Sequence, residues 1–144
     1  MPRPMTDDER RQFLLAPGRT GHLGTVRADG RPHVAPVWFT LDGDDVLFNT
    51  ATDTVKGRNL RRTGRASLSV DLPTMPYGFV HVEGPVTFDD DPASYRPWSR
   101  QISAKYVPHD EVEAFTDRNA VEGELLVRLT PDTVVAVADM AGWD

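Results

Sequence analysis

Apolar and polar residues alternate with a period of two in several separate runs of this chain. Residues 20–27 read T-G-H-L-G-T-V-R, with Leu23, Thr25 and Arg27 set against Gly24 and Val26, which predicts a strand. Ala28-Asp29-Gly30 is a hairpin turn. The return strand, 32–41, contains Pro36, so it needs a bulge or an edge where no N–H is required. Asp42-Gly43-Asp44-Asp45 turns the chain into a third strand at 46–50, which completes a meander. Alternation returns at 65–71 and at 78–88, on either side of the loop 72–76, and Gly84-Pro85 marks a bulge in the second run. Two last runs within 123–138, E-L-L-V-R-L and T-V-V-A-V-A, flank Pro131-Asp132.

Helical signals lie between these runs. Thr6 and Glu9 form a capping box ahead of Phe13, Leu14 and Leu15, and Pro17-Gly18 stops that helix. A short helix is predicted over 53–63. The acidic Asp89-Asp90-Asp91-Pro92 opens a helical stretch to about Ala104, and 110–116 forms another. About six strands in hairpin order, without a βαβ rhythm, predict a mostly β fold with short helices. A closed or nearly closed antiparallel barrel fits best, and a sandwich is the alternative. The 144 residues are expected to form one domain, 1–144.

The junction at 49–60, N-T-A-T-D-T-V-K-G-R-N-L, runs from strand into helix. Thr50, Thr52, Thr54 and Asp53 crowd a helix start whose first N–H groups lack intrahelical partners. Lys56 sits in the first turn, where the helix dipole disfavours a cation. At about 100° per residue it falls between Asn59 and Leu60, on the side that Val55 and Leu60 should bury. Free N–H groups, hydroxyls and an inward ammonium suit a phosphate. The alternative is a surface helix whose lysine snorkels outward.

Charge sharpens that picture. The net charge of −6 argues against nucleic acid and acidic membranes, yet Lys56, Arg58, Arg61, Arg62 and Arg65 place five of sixteen cations within ten residues. A local basic site on an acidic protein favours a small anionic ligand. No apolar run reaches a membrane span and no signal peptide opens the chain, so a cytoplasmic location is expected. The absence of cysteine removes disulfides, thiolate metal sites and thiol nucleophiles. His22, His33, His81 and His109 lack zinc-ligand spacing, so no metal is expected. Ser67, Ser69 and Ser103 lack the turn of a hydrolase nucleophile, and Asp42, Asp44 and Asp45 lack the glutamate that closes a calcium loop.

Three blocks in this order resemble the split-barrel, pyridoxamine 5′-phosphate oxidase-like superfamily: the run from Gly21 to Phe39, F-N-T followed by T-V-K-G-R-N-L from Phe48 to Leu60, and F-V-H-V-E-G-P-V from Phe79 to Val86. The chain is most similar to the branch of small oxidoreductases that use the deazaflavin coenzyme F-420; beyond about Asp91 it is not diagnostic. The resemblance implies a six-stranded antiparallel split β-barrel of the flavin reductase/FMN-binding kind, forming a homodimer with cofactor sites at the subunit interface. It places the cofactor phosphate near Thr50, Thr54, Lys56 and Arg58, with the ring along Ala35, Pro36, Val37 and Trp38 and Asn59 near its polar edge. Tyr77 and Phe79 match positions that the partner subunit supplies. Family members often carry Arg or Ser two residues before the lysine; here Thr54 stands there, with a hydroxyl and no charge. FMN is the alternative cofactor, since both carry a flat ring and a phosphate chain, while Arg58, Arg61, Arg62 or Arg65 could meet the extra carboxylates of the deazaflavin.

The implied reaction is hydride transfer between reduced cofactor and a small unsaturated or conjugated molecule, which needs no protein nucleophile. Trp38, Trp98 and Tyr106 are candidates to line a flat pocket, or else to fill the core. A non-catalytic cofactor carrier is the competing reading. An OB-like barrel for single-stranded nucleic acid is a third, disfavoured by the charge.

Overall fold

The computed structural model describes residues 1–141. In chain order the elements are β1 (Arg3–Pro4), α1 (Asp7–Leu15), β2 (Gly21–Val26), β3 (Pro32–Val37), β4 (Phe39–Asp42), β5 (Asp45–Ala51) and α2 (Val55–Thr63). There follow β6 (Arg65–Leu72), β7 (Gly78–Asp89), α3 (Pro92–Ala104), a 3-10 turn (His109–Glu111), α4 (Val112–Asn119), β8 (Glu124–Leu129) and β9 (Thr133–Ala138).

Seven strands pair in the order β3-β2-β6-β7-β8-β5-β4, every pair antiparallel. The two ends of this path, β3 and β4, are consecutive pieces of chain separated only by Trp38. The sheet therefore curls until its first and last members are one bent strand. With β3 and β4 counted as one, the six expected barrel strands are present. The described residues form nine strands, because β9 adds to β7 and the two-residue β1 adds to β9. β1 is too short to show a period. Pro36 sits on β3, whose other edge has no partner strand, so its missing N–H costs no ladder bond.

Where a bulge was expected in β7, the strand changes partners. Gly78 to Pro85 pairs with β6, and Val86 to Asp89 pairs with β8. A Cβ on Gly84 would lie 2.1 Å from the Thr130 carbonyl oxygen, so only glycine lets the two backbones cross there.

The barrel interior holds Leu23, Phe39, Phe48, Leu68, Val80, Val82, Leu125 and Val127 from the strands, joined by Leu60 of α2. β5 and β8 are buried on both faces. Val46, Phe48, Leu125 and Val127 face inward, while Leu47 and Leu126 pack outward against Tyr95 and Ile102 of α3. The α3–α4 hairpin is thus a second layer over half the barrel. Arg96 reaches Glu113 and Asp117, and Arg100 reaches Glu113, across the hairpin; exposed pairs of this kind contribute little. Among the described residues, no helix is long and apolar enough to cross a membrane.

The bend at Trp38 is pinned from both sides. Lys105, at the end of α3, donates from Nζ to the carbonyls of Leu14 (2.9 Å) and Phe39 (2.8 Å), and its ammonium lies 3.8 Å from the centre of the Phe39 ring. Tyr106 donates its hydroxyl to the Arg19 carbonyl (2.6 Å) and accepts from the Phe39 N–H (3.3 Å). Burial, with a smaller push from Arg19, lowers the Lys105 ammonium from its ordinary 10.5 to about 8.

α2 is shorter than predicted at its start, because Thr54 is the N-cap, and Gly64 ends it with φ 68°. Of the side expected to be buried, Leu60 is fully buried while Val55 is 38% exposed. Gly57 faces the strand below it.

Two consequences can be measured. Alanine in place of Gly57 should gain about 1 kcal/mol of helix propensity. Its Cβ would nevertheless lie 2.3 Å from the Ala51 carbonyl oxygen. Gly57→Ala should therefore lower stability in urea by about 1–3 kcal/mol, the overpacking range; a stabilised variant would show that the helix slides freely on β5. For Lys105, the folded state gives up its proton before the unfolded chain does. Stability should rise with pH between about 8 and 10.5, and the denaturation midpoint of Lys105→Met should lack that rise.

Candidate active site

Beside the start of α2 the surface opens into a cleft of about 300 Å³. Pro36, Val37 and Trp38 form one wall at the barrel bend, and Ile102 of α3 and Asn119 of α4 form the opposite one. Asn49 on β5 and Lys56 on α2 complete the lining. Five elements contribute, so the cleft exists only once the barrel has closed and the α3–α4 hairpin has docked.

The start of α2 explains how Lys56 comes to face it. Thr54 Oγ1 accepts from the Gly57 N–H (3.0 Å) and donates to the Ala51 carbonyl (2.9 Å). The Thr50 hydroxyl, buried, lies 3.0 Å from the Thr54 hydroxyl. These hydroxyls hold the helix to the strand, at the same helix start that carries Lys56. The Arg58 N–H goes to the Thr54 carbonyl, which leaves the N–H groups of Val55 and Lys56 as the open ones of the first turn. The Lys56 side chain is half-buried and its ammonium forms no hydrogen bond or ion pair with the described residues. Burial raises the Glu124 carboxyl pKa, and the charge of Lys56 acts against that rise.

The basic cluster of the sequence disperses in space. Arg58 is exposed and donates to the Asp53 carbonyl (2.7 Å). Arg61 lies over the Phe88 ring, Arg62 bonds the Val26 carbonyl and Asn59, and Arg65 pairs with Asp132. None of these arginines lines the cleft. Asn59, which the resemblance sets near the ring's polar edge, is not among the residues that line the cleft. It is 3% exposed, donates to Thr25 Oγ1 (3.0 Å) and accepts from Arg62, so it anchors α2 on β2.

Trp38 is the aromatic of the cleft. Its ring stacks on Tyr106 at 4.8 Å and 3° between planes, with Phe115 tilted beside it at 5.7 Å. Tyr106 supports Trp38 from behind. Burial raises its pKa to about 12, and its proton is engaged by Arg19, so it is no free proton donor. Trp98 lines a different hollow, with Phe88 and Arg128. Tyr77, exposed with φ 57°, and Phe79, on β7 opposite Val137, lie away from the cleft of their own chain.

Asn49, Ile102 and Asn119 join the cleft without having been singled out. Asn49 stands in the F-N-T run at the outward position of β5, and a polar residue there, between buried Phe48 and Thr50, was the available signal. Ile102 and Asn119 carried none, since only the docking of the hairpin brings them to the barrel. Among the described residues, no group of three His, Cys, Asp or Glu side chains could hold a metal ion. An unpaired ammonium, two open helix N–H groups and the flat surface of Pro36, Val37 and Trp38 fit a planar ligand with an anionic tail.

Known proteins share this architecture. An F420 reductase is 28% identical, with a TM-score of 0.63, over 85% of this chain and 94% of its own. A conserved hypothetical protein of Mycobacterium tuberculosis superimposes with a TM-score of 0.77 at 20% identity, over 92% of this chain and 84% of that one. A FAD-binding protein of Mesorhizobium loti superimposes with a TM-score of 0.70 at 18% identity, over 95% and 96%. Residues 6–138, nearly the whole described chain, match the pyridoxamine 5′-phosphate oxidase family. With the split barrel and its helix-mouth lysine, that match decides the assignment: the chain belongs to the pyridoxamine 5′-phosphate oxidase family.

Proposed function

We propose that the protein is an oxidoreductase that binds a phosphorylated flavin-type cofactor in this cleft, with the deazaflavin coenzyme F-420 favoured over FMN. The observation that carries the reading is the half-buried Lys56, turned into a cleft with no anion of the described residues bonded to it. An ammonium desolvated in this way is stabilised by a phosphate, and the open N–H groups of Val55 and Lys56 add the positive end of the helix dipole. Thr54 and Thr50 serve by fixing where α2 begins. The identity to an F420 reductase supports the deazaflavin.

The cofactor supplies the hydride chemistry when bound. The chain's own residues bind and orient. Pro36 and Val37 offer an apolar surface to the ring, and Trp38, held flat by Tyr106, closes the side on which a conjugated substrate would lie. Ile102 narrows the opposite wall and excludes water. We place the protein as a homodimer in which Tyr77 and Phe79 face the cleft of the partner subunit, a reading that the distance of both from their own cleft accommodates.

Lys56→Ala should weaken cofactor binding by about 1.5–3 kcal/mol, the range for hydrogen bonds to charged groups. Fluorescence titration with coenzyme F-420 and with FMN checks this and ranks the two; unchanged affinity would remove the phosphate assignment. Consumption of reduced cofactor by an enone or quinone acceptor separates an enzyme from a carrier, which would consume none. Light scattering at micromolar concentration should report a dimer, and a monomer would remove Tyr77 and Phe79 from the site.

A further inference from the structure

Asn49 is the one polar side chain of the cleft whose orientation the fold dictates. Its Oδ1 accepts from the hydroxyl of Ser99 (3.0 Å), which is fully buried on α3, and its Nδ2 donates to the Leu125 carbonyl on β8 (3.2 Å). An amide flip would set Oδ1 against that carbonyl, two acceptors facing each other, so the orientation follows from chemistry. An asparagine amide has two N–H bonds and Leu125 takes one. The second belongs to a half-buried side chain that lines the cleft with Lys56 and Trp38.

We propose that this second N–H of Asn49 recognises a carbonyl oxygen on the planar ring bound in the cleft, and that Ser99 is the positioning residue that aims it. The proposal rests on the cofactor reading above and adds to it a donor that no part of that reading required. The cleft then offers three fixed features: a cation for an anionic tail, an indole for a flat conjugated surface, and a directed N–H for a ring carbonyl. Asn119 faces the same space with a side chain that makes no hydrogen bond among the described residues, so Asn49 supplies the preorganised contact and Asn119 an adaptable one. An unpaired N–H in a partly dry cleft rejects a ring that lacks an acceptor there, because the desolvated donor would stay unsatisfied.

The test titrates wild type, Asn49→Ala, Ser99→Ala and Lys56→Ala with coenzyme F-420 and with FMN, and follows both affinity and the visible absorption band of the bound ring. A hydrogen bond to a ring carbonyl shifts that band, and a loss of packing alone does not. Asn49→Ala should bind about tenfold more weakly than wild type, the upper range for one hydrogen bond, with a displaced band. Ser99→Ala, which frees the amide without removing it, should fall between the two in affinity and in band position. Wild-type affinity and an unshifted band in Asn49→Ala would overturn the proposal; if that variant does not fold, the same result in Ser99→Ala overturns it. If Lys56→Ala weakens binding while the Asn49 and Ser99 variants do not, only this proposal fails. If wild type binds neither cofactor, the cofactor reading fails and this one fails with it.

Discussion

Closure of the barrel at Trp38 is the constraint from which the rest follows. The seven paired strands end on themselves because the last strand continues the first, through a bend of one segment between Val37 and Phe39. A bend leaves backbone groups without ladder partners, and buried groups of that kind must be satisfied. The Phe39 N–H and carbonyl are taken by Tyr106 and Lys105, both just past the end of α3. The helical hairpin is therefore fastened at the point where the barrel needs it. The same fastening stacks Tyr106 on Trp38 and brings Ile102 to the cleft wall.

The start of α2 works by a different economy of contacts. Several polar groups there find partners within the chain: Thr54 and Thr50 with each other and the backbone, Asn59 with Thr25, and Arg62 with Val26 and Asn59. Because the neighbours are satisfied locally, the Lys56 ammonium is the charge left for a ligand. Lysine is suited to this, since a point charge on a flexible stem can settle on a phosphate without a fixed approach angle. The buried Asn49 bonds supply the directional complement, rigid where Lys56 is compliant.

Much of this could be read from the chain. The alternating runs gave β2, β6 and β7, because a strand with one buried face has a period of two; β5 and β8, buried on both faces, were legible as short apolar runs. The capping box at Thr6 and Glu9 and the Pro17-Gly18 stop marked the ends of α1, because those signals act within a few residues. The inward lean of Lys56 followed from helix geometry alone. Less legible were contacts that residues far apart in sequence make. That Asn59 bolts α2 to β2 through Thr25 was one such contact. Arg58, Arg61, Arg62 and Arg65 looked like one basic patch and reach separate partners, because a helix turns neighbouring residues around its axis and Arg65 already lies on β6.

What the amino-acid sequence by itself determined is local: which segments are strands, where helices start and stop, that the fold is mostly β, and that one lysine sits at a helix mouth. Period and capping are properties of adjacent residues, so no partner segment is needed to read them. What the tertiary structure alone decided is convergence. Strand β5, helix α2, the bend at Trp38 and the far hairpin meet around one space, and Ser99 fixes an asparagine 50 residues away. That meeting depends on barrel closure and on the docking of α3, long-range events that no local pattern encodes.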